Sequence, residues 1–267
     1  MKRIRSGGAE IAYHVLGAGP PVVLLHPFPA HHQLWLAAAE PLALHYQIIL
    51  PDLRGHGDSE AGEGPATMEK QAADIARVCD DAGVGRAAFA GVSIGGYVLF
   101  EFWRRYRARV AGFAFCDTRA PADTPESRAN RLKSAEDVIE RGTEPFIESM
   151  VPRLFGESTR RNRPDLVEVA RRMMLKMSAE NIAAVQRGMA QRPDSVSTLM
   201  TINVPTLVVV GEEDTLSPVA DAELMRQHIP GAQLRVIPKA GHYAVFEQAA
   251  QVTSVLQEFL GTLRLGS

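Results

Sequence analysis

Short apolar runs recur along this chain, and longer stretches with helical spacing separate them. The runs are I-A-Y-H-V-L (11–16), V-V-L-L-H (22–26), Q-I-I-L-P (47–51) and A-A-F-A-G (87–91), then V-A-G-F-A-F-C-D (110–117), T-L-V-V-V-G (206–211) and Q-L-R-V-I-P (233–238). Several are apolar on both faces, as strands of a parallel sheet covered by helices must be. Between them, Val98, Leu99, Phe102, Trp103 and Tyr106 fall on one helical stripe. Val252, Val255, Leu256, Phe259, Leu260 and Leu263 form another. Ser217 followed by Pro218 reads as a helix start, serine as cap and proline at the first position. Strand alternating with helix predicts an α/β fold with a mostly parallel sheet.

One stretch breaks the alternation. Residues 119–203 hold no convincing strand and carry about four helical patterns by their spacing, for example Leu166, Val169, Ala170, Met173, Met174 and Met177. This predicts a helical insertion at 119–203 between two strands of a core made of 1–118 and 204–267. No internal repeat or low-complexity linker is present.

Composition narrows the function classes. With 31 acidic and 29 basic residues, the net charge of −2 lacks the basic excess of a nucleic-acid binder. Cys79 and Cys116 lie in apolar segments, which predicts buried thiols rather than a disulfide, and two cysteines alone do not make a zinc site. No run of about 18 apolar residues predicts a membrane span. The start M-K-R-I-R-S-G-G has no apolar stretch after its charges, so no secretory signal is expected. These features predict a soluble, cytoplasmic protein with no nucleic-acid or membrane partner; they leave the oligomeric state open.

The chemistry gathers at G-V-S-I-G-G (91–96), between the run at 87–90 and the stripe that follows. A G-x-S-x-G between strand and helix is a nucleophile elbow: the sharp turn lifts the Ser93 hydroxyl clear of the sheet and aims the first helical amides at the reacting centre. Gly91 and Gly95 are required because the turn packs backbone too closely for side chains. Serine needs a base. His242, in K-A-G-H-Y-A-V-F-E after the last strand, reaches the same carboxyl edge of the sheet. The remaining histidines read as structural. His14 sits in an early strand, His26 at a strand end beside the site, and His56 in a turn; His31, His32, His45 and His228 read as loop or helix-surface residues.

The imidazole needs a carboxylate to fix its tautomer. Asp214, in V-V-V-G-E-E-D-T-L-S-P, follows the penultimate strand, and Asp117, at the end of V-A-G-F-A-F-C-D, is the rival; the local motif favours Asp214. An oxyanion needs two N–H donors. Ile94 supplies one. In H-P-F-P after V-V-L-L, Pro27 and Pro29 have no N–H, so Phe28 supplies the other.

Together these motifs resemble the α/β-hydrolase superfamily across essentially the full chain. H-P-F-P is similar to its H-G-x-P loop, with Pro27 in place of the usual glycine; P-D-L-R-G-H-G-D-S (51–59) is similar to its D-x-R-G-x-G-x-S turn; and G-V-S-I-G-G, G-E-E-D and G-H match the motifs of its triad. The resemblance implies that 119–203 is the helical cap such enzymes carry over the site. Serine at 93 separates the chain from haloalkane dehalogenases and epoxide hydrolases, which carry aspartate at the elbow. A carboxylesterase acting on a small-molecule ester is the leading expectation. A lactonase of the enol-lactone hydrolase type is the alternative, followed by a cofactor-free perhydrolase or haloperoxidase, a carbon–carbon bond hydrolase, or a non-catalytic small-molecule receptor. No organic cofactor is expected. Asp52, His56 and Asp58 in the 51–59 turn could suggest metal ligands, but the resemblance implies a tight turn shaping the edge of the site, and no metal is expected.

Substrate preference is read from the insertion. Its candidate inward residues are Phe146, Ile147, Met150, Leu154, Phe155, Met173, Met174, Met177 and Met189, which favours small, apolar, uncharged acyl esters, with lactones next. Arg128, Arg131, Arg153, Arg160, Arg161 and Arg163 are expected on the solvated surface; one of them turned inward would instead pair with a substrate carboxylate.

Overall fold

The computed structural model describes residues 1–264. Eight strands form one sheet: β1 (Lys2–Ser6), β2 (Ala9–Leu16), β3 (Pro21–Leu25), β4 (Gln47–Pro51), β5 (Ala87–Val92), β6 (Val110–Cys116), β7 (Thr206–Gly211) and β8 (Gln233–Ile237). Their spatial order is β1-β2-β4-β3-β5-β6-β7-β8. β1–β2 and β2–β4 pair antiparallel, and every later pair is parallel. All seven predicted strands are present. β5, β6 and β7 are buried along their whole length, because helices cover both faces.

β1 escapes the sequence pattern. K-R-I-R-S offers one apolar residue, and its side chains are mostly exposed. It forms through its partner: Ser6 and Ala9 face each other across a Gly7-Gly8 turn whose φ values of 48° and 78° suit a two-residue hairpin. The predicted helix at Ser217–Pro218 begins one residue later, at Val219, with Pro218 in the cap position.

Between β6 and β7 the chain forms helices Pro125–Arg141, Thr143–Leu154, Glu157–Asn162, Pro164–Met174, Ala179–Met189 and Val196–Leu199, with no strand among them. That is six where four patterns were legible. Glu157–Asn162 and Val196–Leu199 are too short for their spacing to reveal. Thr124 and Ser178 cap two of the longer helices by accepting from Ser127 N–H and Asn181 N–H.

The parallel register sets the site. Leu25 pairs with Gly91, Val92 with Cys116, and Cys116 with Val209, so the residues just beyond these strand ends emerge along one edge. Open α/β sheets present their ligand crevice there. No helix among the described residues is long and apolar enough to cross a membrane. Cys79 and Cys116 are free and buried.

Candidate active site

Ser93 follows β5 and precedes helix Ile94–Tyr106, with φ 52° and ψ −113°. A non-glycine residue held at positive φ is strained, and the packing explains what holds it. A Cβ on Gly91 would lie 2.6 Å from the carbonyl carbon of Gly95, and one on Gly95 would lie 2.7 Å from the carbonyl oxygen of Leu25. The Ser93 N–H donates to Cys116 C=O (3.0 Å), and the Thr118 hydroxyl donates to Ser93 C=O (2.7 Å). The turn is fixed from both sides, and the Ser93 side chain lines a cleft of about 390 Å³ that His242 also lines.

His242 is buried on the loop after β8, and its Nδ1 lies 2.9 Å from Asp214 Oδ2. The other oxygen, Asp214 Oδ1, accepts from the N–H groups of Leu216 (2.8 Å) and Ser217 (3.0 Å). Those two donors lock the carboxylate plane, so Oδ2 is left for the imidazole. Asp117, the rival, is fully buried with φ 43°, and its carboxyl accepts instead from Gly211 N–H (2.8 Å) and Ala244 N–H (3.3 Å). Burial, with the nearby Asp214 carboxylate, pushes the Asp117 carboxyl well up from its ordinary value. Asp117 therefore ties the β7 end to the helix after His242.

Phe28 lines the same cleft. Among the described residues, neither Phe28 N–H nor Ile94 N–H donates to a backbone carbonyl in the turns here; Ala30 bonds back to Pro27, and Gly96 and Tyr97 bond back to Ser93. Two residues that sequence reasoning missed hold these loops. The Tyr243 hydroxyl donates to Phe28 C=O (3.0 Å), fixing the loop that carries the Phe28 amide. The Glu247 carboxylate accepts from Gly241 N–H (2.9 Å), Tyr243 N–H (3.3 Å) and Gly156 N–H (2.9 Å). Both stand in the G-H-Y-A-V-F-E stretch, where an acid five positions after the histidine was the available signal.

The cleft lining corrects the expected apolar character. Of the candidate inward residues, Phe146, Met150, Leu154 and Met189 line it, whereas Ile147, Phe155, Met173, Met174 and Met177 belong to the hydrophobic core. Two helices supply much of the wall. Ser127, Asn130, Arg131 and Ser134 from Pro125–Arg141, and Phe146, Ser149, Met150 and Arg153 from Thr143–Leu154, each follow the i, i+3, i+4, i+7 spacing of one helical face. Arg131, half-buried, therefore leaves the set expected on the solvated surface, while Arg153 borders the cleft and stays exposed. Arg161 and Arg163 are exposed and paired with Glu157 and Asp165, and Arg128 and Arg160 are exposed.

Behind Phe28 lies a nest of imidazoles, and here the prediction for His31 and His32 fails: both are buried. The loop after β3 folds inward because Asp52 binds it, accepting from His32 N–H (2.9 Å) and lying 2.7 Å from His32 Nδ1. His14 stacks on His32 with ring centroids 4.0 Å apart. The Leu53 N–H donates to His26 Nε2 (2.8 Å), so His26 carries its proton on Nδ1, toward Pro27 C=O (2.9 Å). Ligand atoms of His31, His32 and Asp52 fall within 4.8 Å of one another, the one such group among the described residues. Asp52 is already committed to three donors, since its Oδ2 accepts from Asp58 N–H (3.0 Å). A cation would have to break that network, and the exposed Asp58 and the His56 of the same turn do not join the group.

This nest makes the fold acid-sensitive. Burial holds His56 and His31 down at about 4 and His26 well below its ordinary value. Unfolded, each returns to about 6.5. Between pH 6.5 and 4 the unfolded chain then binds more protons than the folded one, so stability rises with pH and is lost on acidification. Urea unfolding across that window is expected to lose ~1.4 kcal/mol per pH unit for each such histidine. His56→Gln should flatten the slope by about one proton. A flat profile from pH 6.5 to 4.5 would contradict this account.

The 20–249 segment matches the family model for the alpha/beta hydrolase fold. The chain belongs to the alpha/beta hydrolase family. Within it, the chain is 43% identical to a thermophilic esterase from Thermogutta terrifontis, whose structure is described as malate bound; the alignment covers 97% of this chain and 98% of that one, with a TM-score of 0.94. It is 26% identical to the enol-lactonase from Burkholderia xenovorans LB400, covering 97% and 100% at a TM-score of 0.91. It is also 25% identical over 245 residues to 3-oxoadipate enol-lactonase 1 of Acinetobacter baylyi, covering 92% of this chain and 90% of that protein. Its alpha/beta hydrolase neighbours thus include both esterases and enol-lactonases.

Proposed function

We propose that the protein is a serine hydrolase that cleaves small carboxylic esters in the cytoplasm through an acyl-enzyme. Ser93 is the nucleophile, His242 the base and Asp214 the acid that orients it. Ser93 Oγ attacks the ester carbonyl while His242 Nε2 takes its proton, and the amides of Phe28 and Ile94 hold the oxyanion. Collapse expels the alkoxide, which receives that proton from the imidazolium. Water, activated by the same nitrogen, then releases the acid and restores Ser93. The core is 1–118 with 204–267, and 119–203 is a cap that excludes bulk water, which strengthens every charge interaction inside. No metal or organic cofactor enters these steps.

The observation that carries this reading is the His242–Asp214 contact of 2.9 Å on the cleft that the strained Ser93 also lines. The enol-lactonase relatives favour a second reading, a lactonase, in which the expelled alkoxide stays tethered to the acyl group. The same residues serve both. A panel of short-chain esters and lactones, run beside labelling with a fluorophosphonate, tests the proposal. One adduct per chain is expected, on the peptide holding Ser93, with turnover lost in proportion. Ester turnover without that adduct, or an adduct on another residue, would remove Ser93 from its role.

A further inference from the structure

The helical stretch between β6 and β7 is pinned to the sheet edge near its middle, far along the chain from both of its connections. The pin is the segment 154–158. Gly156 and Gly241, the latter on the His242 loop, meet backbone to backbone. A Cβ on Gly241 would lie 2.2 Å from the Gly156 nitrogen, and one on Gly156 would lie 2.5 Å from Glu213 Oε2 and 2.9 Å from the Gly241 nitrogen. Gly156 has φ −60°, which any residue adopts, so closeness rather than conformation excludes a side chain there. Two carboxylates complete the contact. Glu247 Oε1 accepts from the N–H groups of Gly241 and Tyr243, on either side of His242, while its Oε2 accepts from Gly156 N–H. Glu213, the residue before Asp214, accepts from Ser158 N–H (2.8 Å) and from the Ser158 hydroxyl. The Tyr243 N–H also donates to Leu154 C=O (3.2 Å), and the Phe155 and Tyr243 rings meet edge-on with centroids 5.4 Å apart. The two catalytic loops are joined to each other as well, since Glu213 N–H donates to Ala240 C=O (2.8 Å).

We propose that Glu213 and Glu247 are positioning residues: they hold the segment 154–158 across the Asp214 and His242 loops, so that the cap braces the Asp214–His242 pair at this end instead of lifting away from it as a lid. This rests on the roles proposed above for Asp214 and His242. The donor set supports it. An ionised carboxylate offers two acceptor oxygens and no hydrogen, so Glu247 takes three amides from two segments at once, which a side-chain amide with its one oxygen does not match. Burial pushes the Glu247 carboxyl up from its ordinary value, and the same amides act against that shift. A displacement at Gly156 or Ser158 passes through these bonds to the backbone beside His242 and beside Asp214. The 2.9 Å contact between the two side chains leaves little room for it. Gly156, Ser158, Glu213 and Glu247 do not line the cleft, so their effect on the reaction runs through geometry and not through contact with substrate.

The test measures kcat and KM on the best short-chain ester of the panel, with thermal melts, for Ser158→Ala, Glu213→Ala, Glu213→Gln, Glu247→Gln and Glu157→Gln. Ser158→Ala and Glu213→Ala should lower kcat about tenfold or more while KM stays within about threefold, because small misplacements of catalytic groups cost rate and the cleft lining is untouched. Glu213→Gln should restore most of kcat, since its oxygen can accept from Ser158 N–H and its NH₂ can donate to the Ser158 hydroxyl. Glu247→Gln should lower kcat at least as far as the alanine variants, because an NH₂ then faces Gly156 N–H. Glu157→Gln, on the same segment but exposed and paired with Arg161, should change neither constant. A second readout does not need turnover: the Nδ1–H proton resonance of His242 in protein carrying isotope-labelled histidine. It should shift or broaden in both alanine variants and return toward its wild-type position in Glu213→Gln, which a loss of stability alone would not produce. Unchanged kcat and an unchanged resonance in both alanine variants, or an effect confined to KM, overturns the inference. If esters are turned over without an adduct on Ser93, the proposed function fails, and the His242 resonance by itself still decides the brace.

Discussion

Ser93→Ala is expected to lower kcat on a short-chain ester by on the order of 10³-fold or more, in a protein that still folds. The fold should survive because the elbow is held by its backbone and by glycine contacts rather than by the Ser93 hydroxyl: the bonds to Cys116 and Thr118 use the Ser93 N–H and C=O. Alanine at φ 52° keeps the strain that serine already bears. What remains should be the catalysis that the Phe28 and Ile94 amides and the cleft give to attack by water. Removing the base as well should then cost little more, because nucleophile and base act as one unit. Steady-state rates for Ser93→Ala, His242→Ala and the double variant, with thermal melts, check this. A folded Ser93→Ala protein retaining most of its activity would sink the proposed mechanism.

The fold was legible where a local pattern and the final environment agree. β5, β6 and β7 are apolar on both faces because both faces are covered, and their runs say so directly. β1 was not legible, since its stability comes from the hairpin with β2 rather than from its own side chains. Ser93, His242 and Asp214 were visible because each sits in a short motif at a strand end. Their supports were not: the Gly156 N–H meets the Glu247 carboxylate across 91 positions of sequence, and the Tyr243 hydroxyl meets Phe28 across 215.

The helices at 119–203 were misjudged for a related reason. Counting large apolar residues finds the face that packs on the core, and Met173, Met174 and Met177 are on it. The cleft is lined by the opposite kind of stripe, Ser127, Asn130, Arg131 and Ser134, which in isolation looks like any solvated helix face. Only the arrangement of helix against helix separates an outward face from one that borders the cleft. His31 and His32 show the same limit. Polar residues in a loop read as exposed until Asp52, 20 positions away, accounts for their burial.

Asp214→Asn is expected to lower kcat by up to ~10⁴-fold with the fold retained, while Asp117→Asn stays within about tenfold of wild type. The difference follows from what each carboxylate touches. Leu216 and Ser217 N–H groups both donate to Asp214 Oδ1. An asparagine at 214 would keep its carbonyl oxygen toward those donors and turn its NH₂ toward His242 Nδ1. That nitrogen must then accept, the proton moves to Nε2, and the imidazole can no longer take the proton of Ser93. At 117 the acceptors are used by backbone amides, and burial with the neighbouring Asp214 charge pushes the acid well up, toward its neutral form. Asparagine has nearly the shape of that neutral acid. It keeps one acceptor for Gly211 N–H but turns an NH₂, which cannot accept, toward Ala244 N–H and loses that longer contact, so the loss should fall on stability, at about 1–3 kcal/mol, more than on rate. Paired measurements of kcat and of urea unfolding on the two variants separate these outcomes. If Asp117→Asn proved the more damaging to kcat, the orienting acid would belong at the end of β6 instead of β7.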